Sequence, residues 1–135
     1  MIFIIDDDEA VRDSLRLLLE CTGLEACGFP SPERFRSSGK SAAADCLVLD
    51  AHFAGMSGLD LLDQLRQCGD EVPVIVVTGR PSAANTARAQ AAGALAVLEK
   101  PFKPAEILGL VRQALGQGPG PASLSAPCAP LHCAR

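Results

Sequence analysis

The chain alternates between short apolar runs and longer stretches in which apolar residues recur at helical spacing. Ile2–Ile5 is a continuous apolar run of strand length, the pattern of a strand covered on both faces. Residues 9–21 follow with Val11, Leu15, Leu18 and Leu19 on one helical stripe, and Thr22-Gly23 closes that helix. Leu24–Phe29 reads as a weaker strand, and Ser31-Pro32 opens a short helix with a cap residue and a proline at its first position. Cys46–Leu49 is a third apolar run, ending at Asp50. Ser57 caps a helix with Leu59, Leu61, Leu62 and Leu65 on its apolar face, and Asp60 makes a loose capping box with Ser57. Pro73–Val77 is a fourth strand, residues 82–92 an alanine-rich helix closed by Gly93, Leu95–Leu98 a fifth strand, and Ala105–Leu115 the last helix.

Five successive strand–helix units imply a parallel sheet with helices on both faces. The predicted fold class is α/β, a flavodoxin-like (βα)5 three-layer sandwich of strand order 2-1-3-4-5. In such a sheet ligands bind beyond the carboxyl ends of the strands, where the order reverses between strands 1 and 3. The polar residues of interest all fall at that edge. Asp6 and Asp7 end the first strand, Asp50 the third and Thr78 the fourth, and Lys100 follows the fifth. Adjacent strands lie about 4.8 Å apart, so the three aspartates converge. Three carboxylates in one pocket raise one another's pKa values unless a cation joins them, and oxygen ligands of this kind suit Mg²⁺. Asp8 and Glu9, by contrast, read as ordinary acids at a helix N-terminus.

Composition narrows the classes further. The chain has 135 residues, 48% hydrophobic and 21% charged, which suits one globular domain. A net charge of −4 argues against a direct nucleic-acid binder. No apolar run approaches the roughly 20 residues of a membrane span, and no basic segment followed by an apolar one marks a signal peptide. The six cysteines are expected to be reduced thiols in the cytoplasm, with Cys21, Cys27 and Cys46 acting as small apolar residues. Residues 117–135, rich in proline, glycine and alanine, are expected to be a disordered tail after a domain spanning 1–116. Cys128, His132 and Cys133 in that tail are too few and too irregularly spaced to predict a metal site.

The stretches "IIDDDEAVR", "LVLDAHFAGMSG", "VIVVTG" and "LEKPF" together resemble the receiver domain of two-component response regulators. The resemblance covers residues 2 to about 116. Its closest flavour is the subset that often precedes a LuxR-type helix-turn-helix output domain, and no such domain is expected within these 135 residues. The resemblance implies a signalling domain that catalyses only its own phosphorylation and dephosphorylation. Asp50 matches the phosphoacceptor, supplied by a histidine kinase, a histidine phosphotransfer protein or a small donor such as acetyl phosphate. Asp7 matches the direct ligand of Mg²⁺ (or Mn²⁺), and Asp6 the acid that holds the metal through water. The backbone carbonyl of His52 matches the third protein ligand beside Asp50. Thr78 matches the hydroxyl that moves onto the phosphoryl oxygens, and Lys100 the lysine that pairs with them. The Lys100-Pro101 bond matches one that is cis in the family. The face made by the fourth helix, fifth strand and fifth helix matches the family's output and homodimerisation surface.

Two departures stand out. Where the family often has Arg-Met-Pro after the phosphoacceptor, this chain has His52-Phe53-Ala54, and the His52 side chain is expected to face solvent. Three residues before Lys100, where the family's switch is Tyr or Phe, stands Val97, with one stiff χ1 and no ring to swing. The preceding helix has no bulky apolar residue and is expected to pack thinly. These departures keep a second class open, a phospho-independent interaction module of receiver fold. An aspartyl phosphohydrolase needs Asp-x-Asp at the strand end, and its second position is His52. A dinucleotide-binding domain lacks its G-x-G-x-x-G after the first strand.

Overall fold

The computed structural model describes residues 1–53 and 55–116. The tail predicted for 117–135, with Cys128, His132 and Cys133, lies outside the described residues. Five parallel strands, β1 (Ile2–Ile5), β2 (Ala26–Phe29), β3 (Cys46–Asp50), β4 (Val74–Thr78) and β5 (Ala96–Glu99), form one sheet in the order β2-β1-β3-β4-β5. The α-helices among the described residues are α1 (Glu9–Cys21), α2 (Pro32–Ser37), α3 (Gly58–Gln67), α4 (Ala83–Ala91) and α5 (Pro104–Ala114). The sheet order is the predicted one, with β3 central and β1 between β2 and β3.

Strand alternation splits the core into two layers. Phe3, Ile5, Leu47, Leu49, Val74 and Val76 pack on one face with Phe35, Leu59, Leu62 and Leu65, from α2 and α3. Ile2, Ile4, Cys46, Val48, Ile75 and Val77 pack on the other with Leu15 and Leu19 of α1 and Ile107 and Val111 of α5. Both faces of β1, β3 and β4 are thus buried, which explains why those strands have continuous apolar runs. Phe3, Phe29 and Phe35 meet at centroid distances of 5.4–5.6 Å in tilted and edge-on pairs, which seats the short α2.

The caps follow the sequence closely. Asp8 caps α1, its Oδ1 accepting from the Ala10 and Val11 amides. Ser57 and Asp60 form a reciprocal capping box on α3. Helix α4 buries only Ala89, as its composition leads one to expect. Arg88 compensates, reaching from α4 to Asp60 at 2.7 Å and Asp63 at 2.6 Å on α3. Its hydrogen bond holds the Asp60 carboxyl below the ordinary range. These groups are exposed, so the clamp orients α4 more than it stabilises the fold.

The cysteine expectation is met in part. Cys46 is buried, and burial pushes its thiol up to about 12, so it stays protonated and acts as a small apolar side chain. Cys21 is exposed instead, because it ends α1 on the helix's outer side. None of the described cysteines is paired. No described helix is long and apolar enough to cross a membrane.

Candidate functional site

The register places the acids. β1 and β3 pair Ile5 with Leu49, so Asp6 and Asp50, each one residue on, leave the sheet side by side. β4 ends at Thr78, beside β3, and the chain returns from β5 at Lys100. Oxygens of Asp6, Asp7 and Asp50 all lie within 4.8 Å of one another. Asp6 and Asp50 are buried at 1% and 6% exposure, while Asp7 is exposed.

Each buried carboxylate has fixed partners. Asp6 Oδ1 accepts from the Asp8 amide at 2.9 Å, and its Oδ2 accepts from Lys100 Nζ at 2.8 Å. Asp50 Oδ1 accepts from the His52 amide at 3.1 Å, and its Oδ2 from Lys100 Nζ at 3.1 Å. Lys100 thus bridges both acids. Burial raises the Asp50 carboxyl above the ordinary aspartate range, helped by the nearby Asp6 charge, despite the hydrogen bonds from His52 and Lys100. Burial alone would lower the Lys100 ammonium, but hydrogen bonds to Asp6 and Asp50 outweigh it and hold the proton more tightly than usual. The Lys100-Pro101 bond is cis.

Asp6, Asp7, Asp50, Thr78 and Lys100 therefore meet at one edge, as the strand ends predicted. His52 differs from expectation. The residue is half-buried, and its ring is turned onto Thr78. Nε2 lies 3.0 Å from Thr78 Oγ1, because the His52 amide bond to Asp50 folds the loop back over the end of β4. Val97, on β5, pairs with Val76 of β4 and packs, half-buried, against the core on the α3 and α4 side.

Two supports were not read from the sequence. Arg12 Nη1 donates to the Asp6 carbonyl at 2.7 Å, anchoring the acidic turn to α1. Glu33 Oε2 accepts from the Met56 amide at 3.2 Å, which ties the loop after β3 to α2. Arg12 lies one turn after the cap Asp8, a spacing that signals contact with the same helix end. Glu33 is 23 residues from Met56, and no local pattern links them.

The model of the response regulator receiver domain matches residues 2–112. The chain belongs to that family. It is 37% identical over 119 residues to the response regulator protein TodT of Pseudomonas putida, covering 88% of this chain and 52% of that protein. It is 40% identical over 116 residues to the transcriptional regulatory protein FixJ of Azorhizobium caulinodans, covering 86% of this chain and 55% of FixJ. The chain thus spans about half the length of the curated relatives it matches. A crystal structure titled FixJ-N superposes with a TM-score of 0.76 at 32% identity, covering 84% of this chain and 91% of the other. The response regulator StyR superposes with a TM-score of 0.78 at 37% identity, covering 84% and 58%. This receiver domain has an acidic cluster whose donors are all carboxylate oxygens, a set that fits a hard divalent cation.

Proposed function

We propose that this receiver domain accepts a phosphoryl group on Asp50 from a histidine kinase or histidine phosphotransfer protein and signals through protein contacts. The observation that carries the reading is the buried Asp50 carboxylate, bonded to Lys100 and set beside Asp6 and Asp7 at the sheet's carboxyl edge. The Asp50 carboxylate attacks phosphorus, the bond from phosphorus to the donor's nitrogen breaks, and an acyl phosphate forms. Lys100, already on Asp50 Oδ2, pairs with the charge that arrives. Water later cleaves the acyl phosphate, so the signal decays. Asp6, Asp7, Asp50 and the His52 carbonyl would hold Mg²⁺ (or Mn²⁺), which when bound neutralises charge on the phosphoryl oxygens. Reduced thiols and histidine-kinase chemistry both suit the cytoplasm.

Trapping with beryllofluoride and Mg²⁺ tests the reading: a tight complex is expected, and its absence leaves the phospho-independent interaction module. Two observations favour that second reading, the ringless Val97 and a helix α4 with Ala89 as its one buried residue. In either reading the α4–β5–α5 face is the contact surface, for a second copy or for another protein.

Two further results are expected. Asp7→Ala should weaken Mg²⁺ binding at least tenfold (~10-fold being the lesser cost of losing even an indirect metal support). It should also leave thermal stability equal or higher, because one of three mutually repelling acids is gone. An unchanged Mg²⁺ affinity on titration removes Asp7 from the site. With Val97 unable to swing, the phospho-signal should be read through residues 79–92. Their amide exchange should change on beryllofluoride binding, and unaltered exchange there in a formed complex points to the loop 51–57 instead.

A further inference from the structure

Thr78 ends β4 at the edge that carries the acidic site, is buried at 2% exposure, and has two polar groups on its hydroxyl already. A threonine hydroxyl has one proton to give and two lone pairs to offer. The Arg80 amide donates to Oγ1 at 3.0 Å, occupying one lone pair. The His52 ring nitrogen Nε2 lies 3.0 Å from the same oxygen. The direction of that bond follows the imidazole tautomer: with the ring's own proton on Nδ1, Nε2 is an acceptor and takes the single Thr78 proton, and this is the tautomer the inference requires.

We infer that His52 is a latch on Thr78: its imidazole accepts the Thr78 hydroxyl proton in the unphosphorylated domain and competes for it with a phosphoryl group on Asp50. A phosphoryl oxygen is acceptor-only, so it can engage Thr78 only through the proton that His52 holds. The competition is local. His52 is two residues from Asp50, and its amide bond to Asp50 Oδ1 sets where the ring falls. The ring thus reports on the loop that follows Asp50 and acts on the residue that ends β4. Removing the latch frees the hydroxyl in advance and lowers the cost of the phosphorylated arrangement. His52 is a positioning residue here, because it acts through Thr78.

This inference rests on the phosphorylatable reading, and two measurements separate the two claims. The first is beryllofluoride affinity at saturating Mg²⁺ for the wild type, His52→Ala, Thr78→Val and the double variant. His52→Ala should bind about three- to tenfold more tightly than wild type, the factor that one neutral hydrogen bond's net worth allows. In the Thr78→Val background, which has no hydroxyl to release, His52→Ala should change nothing. A gain of the same size in both backgrounds, or no gain in either, overturns the latch while wild-type binding upholds the receiver reading. The second measurement needs no phosphoryl mimic. The His52 ring nitrogen shifts, read by NMR in the free protein, should show the proton on Nδ1 and an accepting Nε2, with the Nε2 signal moving in Thr78→Val. A ring proton on Nε2, or an Nε2 signal unmoved by Thr78→Val, overturns the latch even if beryllofluoride fails to bind.

Discussion

Asp50→Asn should abolish labelling by acetyl phosphate and leave the fold intact. The substitution removes the nucleophile, since an amide oxygen or nitrogen does not displace a leaving group from phosphorus at neutral pH. It keeps the shape and can keep the hydrogen bond from the His52 amide, because the side-chain oxygen remains an acceptor. Lys100 retains Asp6 as its partner at 2.8 Å. The effect on stability has a definite sign. The folded protein raises the Asp50 pKa above its unfolded value, chiefly through burial. A raised acid contributes stability below its unfolded pKa and loses it as pH climbs through the folded value. At pH 7 the wild type therefore carries the cost of a buried charge that the asparagine variant does not. Thermal unfolding at pH 7 should show an equal or higher midpoint for Asp50→Asn. At pH 3, where the wild-type carboxyl is protonated, the two midpoints should draw together. Equal labelling of the two proteins would remove Asp50 as the phosphoacceptor.

Much of this was legible in the chain because the fold buries three strands on both faces. Continuous runs such as Ile2–Ile5 and Cys46–Leu49 have few other uses in a domain of this size, and the helices between them have clear caps. The errors fall where backbone chemistry decides the boundary. The apolar run of β4 starts at Pro73, but proline has no N–H to donate, and the strand begins at Val74, with the Pro73 carbonyl accepting from Leu47. The strand pattern of β2 starts at Leu24, but the Leu24 amide closes the end of α1 on the Leu19 carbonyl, so the strand waits until Ala26. At the site, strand ends made Asp6, Asp7, Asp50, Thr78 and Lys100 readable together. The His52 ring was not, because a loop has no period from which to read a side chain's direction. Arg88 was missed for a related reason: a polar face of α4 says nothing about which acids on α3 it will meet.

Gly58→Ala should be the most damaging small substitution in the domain. Gly58 opens α3 directly after the Ser57 cap, and its amide donates to the Ala51 carbonyl at 3.2 Å. A Cβ built there lies 1.9 Å from the Asp50 backbone oxygen and 3.1 Å from Leu49 Cγ. The first obstacle is backbone in a fully buried strand, so no side chain can swing aside to make room. Either the N-terminus of α3 retreats from the sheet or the end of β3 does. Retreat of α3 pulls Leu59, Leu62 and Leu65 out of a filled layer, where each lost contact costs free energy. Retreat of β3 shifts Asp50 away from Lys100 and Asp6. The expected loss is about 2–4 kcal/mol, above the usual range for overpacking because a main-chain atom must move. Denaturant unfolding measures it. The same experiment on Gly109→Ala supplies the contrast, since that glycine sits within α5 with nothing within 4 Å of its added Cβ. There a gain of about 0.5–1 kcal/mol is expected, from helix propensity and a less flexible unfolded chain. Acetyl-phosphate labelling of folded Gly58→Ala should also fall, because the carbonyl it displaces belongs to Asp50 itself. A Gly58→Ala protein as stable as the wild type would mean that the junction between β3 and α3 yields without cost, and that Asp50 is not held by the helix that follows it.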